Sequence, residues 1–128
     1  MFDQFDIGPT IAVSDLARAR QWYDEVLGLT PTVEVEETVI YPAGGRPMGF
    51  SVYRSPNAGT NRATYAAWMV DDLDAVMSTL RDRGVEFHEY ATREVVTHHG
   101  VATDDAGNRS AWFSDPDGNV LSLVQFGG

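Results

Sequence analysis

The histidines are the residues of this chain best suited to bind a transition metal or to transfer a proton near neutral pH. There are 3 of them, His88, His98 and His99. His98 and His99 are adjacent, so on a strand their side chains point to opposite faces and cannot share a metal ion. His88 alternates with Glu86 and Tyr90. The spacing therefore favours histidines that are exposed or hydrogen-bonded over histidines that form a metal site.

The spacing of the serines does not indicate nucleophilic catalysis. The chain has no cysteine, and it contains no Gly-x-Ser-x-Gly sequence of the kind that presents a serine nucleophile. Gly44 and Gly45 belong to a turn and not to a loop that binds phosphate. General acid–base catalysis without a metal stays open, with Tyr65, Glu86 and His88 as candidates, and the sequence does not single out one of the three.

The charge of the chain limits the partners that it can bind. Its 9 basic residues are all arginine, they are scattered, and they stand against 19 acidic residues, which gives a formal net charge of −10. Binding to nucleic acid depends on neutralising phosphates with basic side chains, so nucleic acid is excluded as a partner. An acidic surface attracts cationic ligands, although solubility alone is also a sufficient reason for this composition.

The hydropathy pattern places the chain among soluble proteins. No segment approaches the roughly 18 consecutive apolar residues that cross a membrane. The N-terminal residues also lack the basic and apolar regions of a signal peptide. A chain without cysteine suits a reducing compartment. We therefore expect a cytoplasmic protein that does not bind membranes.

Two segments of the chain share one plan. Residues 11–16 read Ile-Ala-Val-Ser-Asp-Leu, and residues 68–73 read Trp-Met-Val-Asp-Asp-Leu. Each segment is a short apolar strand that leads to a helix start, where an acidic or hydroxyl side chain can cap the helix. Gly28 and Gly84 end the two helical patterns. Apolar residues with helical spacing define the buried faces: Leu16, Ala19, Tyr23, Val26 and Leu27 in the first helix, and Leu73, Val76, Met77 and Leu80 in the second.

The remaining β-prone runs complete two βαβββ modules. We expect a single domain over 1–128, with module one at about 5–57, module two at about 63–127 and a linker over 55–62. The strands predicted for module one are Ile7–Val13, Thr32–Glu36, Val39–Pro42 and Met48–Arg54. The strands predicted for module two are Ala63–Val70, Val85–Tyr90, Arg109–Ser114 and Val120–Phe126, and a further strand is predicted around Glu94–His98, before an exposed loop.

With Asp115-Pro116-Asp117-Gly118-Asn119 before the last strand, these features resemble the vicinal oxygen chelate superfamily, the glyoxalase/bleomycin-resistance/dioxygenase fold. The resemblance covers nearly the whole chain. It implies an α+β fold in which two βαβββ modules form a curved mixed sheet with a concave cleft and helices on the outer face. Members of this superfamily commonly bind a divalent metal through His or Glu residues at four strand positions.

Those four positions carry no suitable ligand in this chain. They correspond to Gly8, Ser51, Tyr65 and Ser122, and the run Met48–Arg54 contains no His, Asp or Glu in any register. Imidazole and carboxylate groups are the usual protein ligands of catalytic divalent metals, whereas glycine offers no side-chain ligand and a hydroxyl is a poor one. We therefore expect no metal and no other cofactor.

Strand alternation predicts the face that would bind a ligand instead. Gly8, Thr10 and Ala12 lie on one face of the first strand, whereas Ile7 and Ile11 lie on the face that packs on the helix. Small residues beside aromatic ones are typical of a pocket for a small organic molecule, unless the aromatic rings fill a tight core. The predicted ligand-binding residues are Thr10, Ser51, Tyr53, Tyr65, Met69, Trp112 and Ser122.

The resemblance to the bleomycin-resistance branch implies the function. It implies a metal-independent protein that sequesters a drug in the clefts of a homodimer, confers antibiotic resistance and performs no chemistry. The expected ligand is cationic or aromatic. The alternatives are a metal-free isomerase or lyase that uses the same cleft, a divalent-metal glyoxalase or dioxygenase with non-standard ligands, and a dimeric regulatory module.

Overall fold

The two halves of the chain fold with the same order of elements in the computed structural model, which describes all residues, 1–128. The chain divides into two compact units, Met1–Asn61 and Arg62–Gly128. The first unit contains β1 (Thr10–Val13), α1 (Leu16–Glu25), β2 (Val33–Val35), β3 (Thr38–Ala43) and β4 (Arg46–Arg54), preceded by a short 3-10 turn (Phe2–Gln4). The second contains β5 (Thr64–Met69), α2 (Leu73–Asp82), β6 (Ala102–Thr103), β7 (Arg109–Ser114) and β8 (Val120–Gln125).

The strands form two four-stranded mixed sheets with the same topology. The strand order is β1-β4-β3-β2 in the first unit and β5-β8-β7-β6 in the second. In each sheet the first strand pairs in parallel with the last strand, and the other pairs are antiparallel. The architecture is therefore α+β with two βαβββ modules, as the sequence predicts.

Carboxylate caps set the start of both helices. The side chain of Asp15 accepts a hydrogen bond from the backbone N–H of Arg18, and that of Asp72 accepts one from the N–H of Ala75. Each cap satisfies an amide that has no partner within its helix. Each predicted helix start offers two candidate caps, Ser14 or Asp15 and Asp71 or Asp72. The second residue of each pair is the cap, and each helix begins at the next residue.

Each helix packs its apolar face on one face of its own sheet. In the first unit Tyr23 of α1 contacts Tyr41 and Phe50, with ring centroids 5.8 and 6.0 Å apart. In the second unit α2 buries Leu73, Met77 and Leu80. Side chains alternate along a strand, so the strand residues between these core positions lie on the opposite face of each sheet. We name this face, which carries no helix, the helix-free face.

The first strand is shorter than predicted. It begins at Thr10 instead of Ile7, and the Ile7 side chain is 89% exposed instead of packed on the helix. Pro9 has no N–H to donate to a ladder, and only its carbonyl is used, accepting a hydrogen bond from the N–H of Ser51. The expected burial of Ile7 is therefore wrong, because the residue lies before the paired part of the chain.

Two predicted strands of the second unit are absent. Residues 85–90 are extended but join β7 through a single backbone bond, from the N–H of His88 to the carbonyl of Trp112, so Val85–Tyr90 does not form a ladder. Glu94–His98 is not a strand either, because Val96 and His98 make only isolated bridges with Ala91 and Val101. The short strand β6 takes the place next to β7 instead.

Two turns with the same hydrogen bonds lie at the two ends of β7. Asp104 and Asp115 each accept from the backbone N–H and the side-chain amide of the asparagine four residues later, Asn108 and Asn119. Both turns contain a glycine with φ of 84°, a conformation that favours glycine. The predicted turn over 115–119 is confirmed, and the predicted exposed loop over 104–108 is a second copy of it. No helix in the chain is long and apolar enough to cross a membrane.

Candidate functional site

Three of the predicted binding residues share the helix-free face of the first sheet. Thr10 of β1 is paired with Ser51 of β4, and Ala12 is paired with Tyr53 two residues further along. A shallow pocket of about 150 Å³ lies at Thr10 and Ser51. Its other lining residues are Gly8, Pro9, Ile40, Met48, Gly49 and Phe50. Tyr53 does not line this pocket.

The position of Gly8 leaves no room for a side chain. A Cβ on Gly8 would stand 2.5 Å from the carbonyl oxygen of Gly49, which is closer than real Cβ contacts. Gly49 is equally confined, because its own Cβ would stand 2.4 Å from that of Ala43. The backbone at residue 8, just before β1, and the backbone of β4 therefore approach so closely that any larger residue would force them apart.

The helix-free face of the second sheet contains a row of paired residues. Ala67 of β5, Ser122 of β8 and Trp112 of β7 lie side by side across the three strands. Met69 lies on the same face, two residues beyond Ala67, and is exposed. Tyr65 is the residue without a strand partner where the β5–β8 register shifts between Thr64 and Ala66, and it is half-buried. The predicted neighbours Trp112 and Ser122 are thus brought together.

A hydrogen-bonded cluster that the sequence reasoning did not assemble lies beside Trp112. The imidazole of His88 is 2.8 Å from the hydroxyl of Tyr90 through Nδ1 and 2.8 Å from the Oγ of Ser114 through Nε2. The ring of Tyr90 meets that of Trp112 edge to face at 5.5 Å. Since Ser114 and Trp112 are two residues apart on β7, the cluster lies on the helix-free face. We name His88, Tyr90 and Ser114 the hydroxyl–imidazole cluster.

Backbone contacts hold the cluster in place. The N–H of His88 donates to the carbonyl of Trp112 at 2.8 Å. The N–H of Tyr90 donates to the Oγ1 of Thr97 at 2.7 Å, and the N–H of Thr97 donates to the carbonyl of Tyr90 at 2.8 Å. Thr97 is buried. The alternation of Glu86, His88 and Tyr90 was the available sequence signal, but it gave no indication that Ser114 would be the partner.

The metal positions implied by the family resemblance do not fit a divalent ion. Gly8 has no side-chain donor and no space for one, and Ser51, Tyr65 and Ser122 offer only hydroxyl groups. No group of three or more His, Asp or Glu residues that could hold a metal forms anywhere in the chain. His98 and His99 are both exposed and follow one another through a turn in which His99 has φ of 53°.

A second depression, of about 700 Å³, lies at the C-terminal end of α2. The guanidinium of Arg81 lies 5.1 Å from the centroid of the Phe87 ring and donates a hydrogen bond to the carbonyl of His99 at 2.9 Å. Glu86 and Glu89 also line this depression, whereas His88 does not. Glu86 and His88, two candidates for acid–base chemistry, are therefore directed to different surroundings.

The repeated βαβββ plan defines a class of two-module α+β proteins, and the sequence identifies the family within it. The chain belongs to the Glyoxalase/Bleomycin resistance protein/Dioxygenase superfamily, whose sequence profile matches residues 3–123. No curated protein matches the chain.

Solved structures with the same fold include proteins with different activities. A glyoxalase/bleomycin resistance protein from Catenulispora acidiphila is 26% identical, with a TM-score of 0.70 over 95% of this chain and 98% of that one. The antibiotic binding protein TnmS3 from a Streptomyces species is 24% identical, with a TM-score of 0.64 over 96% and 98% of the two chains. The fosfomycin resistance protein FosX from Listeria monocytogenes, in complex with Mn(II) and sulfate, is 14% identical, with a TM-score of 0.70 over 96% and 90%. The last two similarities concern the fold alone.

Proposed function

We propose that this protein binds a small organic molecule without a metal ion and sequesters it without chemical change, as an antibiotic-resistance protein does. The observation that carries the proposal is the aromatic and hydroxyl-rich helix-free face of the second sheet. Trp112 lies there between Ser122 and the hydroxyl–imidazole cluster. Pockets for small molecules typically combine apolar or aromatic surface with a few oriented polar groups. The residues at the metal positions support the metal-independent part of the proposal.

The first unit offers a candidate binding face of its own. Thr10, Ser51 and Tyr53 provide three hydroxyl groups on the helix-free face of its sheet. Tyr65 and Met69 extend the candidate face of the second sheet. The net charge of −10 favours a cationic ligand over an anionic one, and the aromatic side chains of the face suit an aromatic ligand. A chain without cysteine is compatible with the reducing cytoplasm, which we propose as its location.

The metal content of the protein tests the first half of the proposal. The protein would be incubated with Zn, Ni, Mn or Fe(II), desalted and analysed by mass spectrometry. We expect a stoichiometry near zero. One ion per chain would contradict metal independence and would direct attention to His88, His98 and His99.

Ligand titration tests the second half. Tryptophan fluorescence and calorimetry would be recorded with a panel of cationic glycopeptide antibiotics and aromatic metabolites. We expect saturable binding, at least tenfold weaker in Trp112→Ala, because an aromatic side chain at the centre of a site commonly dominates its affinity. Trp22→Phe, on α1, is the matched control and should bind as the wild type does. Absence of binding across the panel would count against the proposal.

A metal-free enzyme is the second candidate, and the hydroxyl–imidazole cluster favours it. An imidazole between two hydroxyl groups can accept a proton at one nitrogen and donate one at the other. An isomerase or lyase of this kind would turn over in the presence of chelators and would lose activity in His88→Ala or Tyr65→Phe. If neither substitution affects turnover of a substrate that is found, this assignment of residues fails.

We also propose that the protein forms a homodimer. The N-terminal segment exposes four large apolar side chains, Met1 (80%), Phe2 (79%), Phe5 (60%) and Ile7 (89%). A group of exposed apolar residues indicates an interaction site. The segment carries Asp3 and Asp6 and no basic residue, which disfavours an anionic membrane as its partner. A second copy of the chain is therefore the proposed partner.

A further inference from the structure

We infer that the depression at the C-terminal end of α2 binds a zwitterionic small molecule, one that carries both a carboxylate and an ammonium group and has an apolar body, as many amino acids do. The Arg81 guanidinium binds the carboxylate, and the side chains of Glu86 and Glu89 bind the ammonium. Arg81 belongs to α2, so the site lies on the side of the second sheet that carries the helix. The inference concerns a site apart from the helix-free face and does not depend on the proposed function.

The Arg81 guanidinium is held between an aromatic ring and a backbone turn. It lies 5.1 Å from the centroid of the Phe87 ring, within the range of a cation–π interaction. Its Nη2 donates a hydrogen bond to the carbonyl of His99 at 2.9 Å, and a Cβ on Gly100 would stand 3.4 Å from the same nitrogen. A charged group that is already oriented loses less conformational entropy when it binds a ligand.

A tight turn supplies the His99 carbonyl. His98 and Val101 exchange backbone hydrogen bonds of 2.8 and 3.1 Å, and the two residues between them, His99 and Gly100, have φ of 53° and 80°. Gly100 is buried, and a Cβ there would stand 2.9 Å from the Cβ of Phe87. The position therefore needs glycine both for its φ and for its space, and the turn packs closely on the ring that supports Arg81.

The charges that line the depression do not pair with one another. Arg81 has no carboxylate within ion-pair distance, and its hydrogen bond to a backbone carbonyl leaves most of its N–H donors available. Glu86 and Glu89 are exposed and make no hydrogen bond or ion pair. A planar guanidinium with free donors is suited to bind a carboxylate through two parallel hydrogen bonds. The depression thus offers one fixed positive group and two free negative groups to a ligand.

A ligand with a single charge matches the depression less well than a zwitterion. An anion would pair with Arg81 but would meet both carboxylates and the net charge of −10. A cation would pair with the carboxylates but would meet the fixed guanidinium. In a zwitterion each charge meets its opposite. Val85 and Phe87 add apolar surface, and the volume of about 700 Å³ lies within the range of small-molecule sites.

Two sets of probes test the inference. Phenylalanine carries both charges on one carbon, whereas 3-phenylpropanoate has only the carboxylate and 2-phenylethylamine only the ammonium. In the second set, 6-aminohexanoate carries the two charges at the ends of a chain, and hexanoate and hexylamine are its singly charged analogues. Dissociation constants would be measured by calorimetry and NMR at neutral pH and low salt, because salt screens exposed charges. We expect the zwitterion of at least one set to bind about tenfold more tightly than both of its analogues, since each analogue leaves one charged hydrogen bond unmade.

Variants assign the two charges to their partners. Arg81→Gln should cancel the advantage of the zwitterion over its ammonium analogue and keep the advantage over its carboxylate analogue. The double variant Glu86→Gln/Glu89→Gln should have the opposite effect. Arg93→Gln and Glu94→Gln, which change exposed charges of the same unit outside the depression, are the matched controls and should keep both advantages. A loss of structure alone would not produce this crossed pattern, and the wild-type comparison needs no variant.

Two results overturn the inference. The first is a wild type that binds neither zwitterion, or that binds each of them no more tightly than one of its analogues. The second is a preference for the zwitterion that survives both Arg81→Gln and the double glutamate variant, because the charges would then be recognised elsewhere. Binding of the antibiotic and metabolite panel is measured separately and depends on Trp112, so either proposal can fail while the other stands.

Discussion

The backbone of Gly8 lies directly against that of Gly49, with 2.5 Å between the carbonyl oxygen of Gly49 and the position that a Cβ on residue 8 would occupy. Gly8 stands at one of the four positions where the family resemblance implies a metal ligand. The contact means that this position lacks both a donor and the volume for one. Placing a histidine at position 8 would require the backbone before β1 and that of β4 to move apart.

Gly8→Ala should therefore destabilise the protein. Forcing a side chain into a filled space typically costs about 1–3 kcal/mol. The free energy of unfolding from urea titration checks this value. Gly128→Ala, at a glycine with no neighbouring atom within 4 Å, is the control and should be neutral. Gly8→His that folds with wild-type stability and binds one Zn per chain would show that the contact is not restrictive.

The two asparagine turns around β7 should differ in their contribution to stability. Asn119 is fully buried, whereas Asn108 is half-exposed, although both make the same hydrogen bonds to an aspartate. Asn119→Ala removes the buried 2.8 Å hydrogen bond from the Asn119 side-chain amide to Asp115 Oδ2, so it should lower the free energy of unfolding by about 1–3 kcal/mol. Asn108→Ala should cost less, because water can replace the amide. Thermal and urea denaturation of the two variants make the comparison, and equal losses would contradict it.

The stability of the protein should fall in acid through two exposed aspartates. The hydrogen bond from the Arg109 guanidinium lowers the pKa of Asp74, and hydrogen bonds from the Asn108 side chain and backbone lower that of Asp104. A carboxyl whose pKa is lower in the folded state stabilises the fold above the unfolded pKa, near 3.9, and loses this contribution as the pH falls through the folded value.

The urea midpoint of the wild type should therefore decrease between about pH 5 and pH 3, and Asp74→Asn should remove part of that decrease. Asp82→Asn, which removes an exposed carboxylate of the same helix without a side-chain hydrogen bond, is the matched control. Added salt should reduce the contribution of the Asp74–Arg109 pair, because exposed ion pairs are screened. A profile for Asp74→Asn that parallels the wild type would rule out this contribution.

The exposed apolar segment at the N-terminus should control dimerisation. In the double variant Phe2→Ser/Phe5→Ser, each lost aromatic side chain removes up to about 1.5–3 kcal/mol of apolar burial from the dimer interface. The dissociation constant of the dimer should therefore rise at least tenfold. Sedimentation over a range of concentrations measures the change. Val96→Ser, an exposed apolar residue of the second unit, is the control. A wild type that is monomeric at every concentration would refute the homodimer.

The Tyr41 hydroxyl should contribute to stability at every physiological pH. It donates a hydrogen bond to Asp24 at 2.9 Å, and burial, reinforced by this carboxylate, raises the pKa of Tyr41. The phenol therefore stays protonated and keeps donating. Tyr41→Phe should lower the free energy of unfolding by about 1–2 kcal/mol. Tyr53→Phe, on an exposed side chain of the same sheet, should have little effect.

The sequence by itself determined the elements whose signals are local. Asp15 and Asp72 directly precede the helices that they cap. The apolar spacing of each helix follows from its own residues, and the turn over 115–119 is closed by Asp115 and Asn119. The repeated order of these elements, together with that turn, was sufficient to predict the family. These features need no partner distant in the chain, so composition and spacing are sufficient to predict them.

Only the tertiary structure decided where distant residues meet. His88 and Ser114 become partners because residues 85–90 lie along β7, and the single bond that attaches them leaves no strand pattern to read in advance. The volume at Gly8 is likewise set by Gly49, a residue of another strand, and Ile7 is exposed because the ladder starts after Pro9. Periodicity describes which face a residue lies on, whereas the register between strands determines its neighbours, and the chemistry of this site depends on those neighbours.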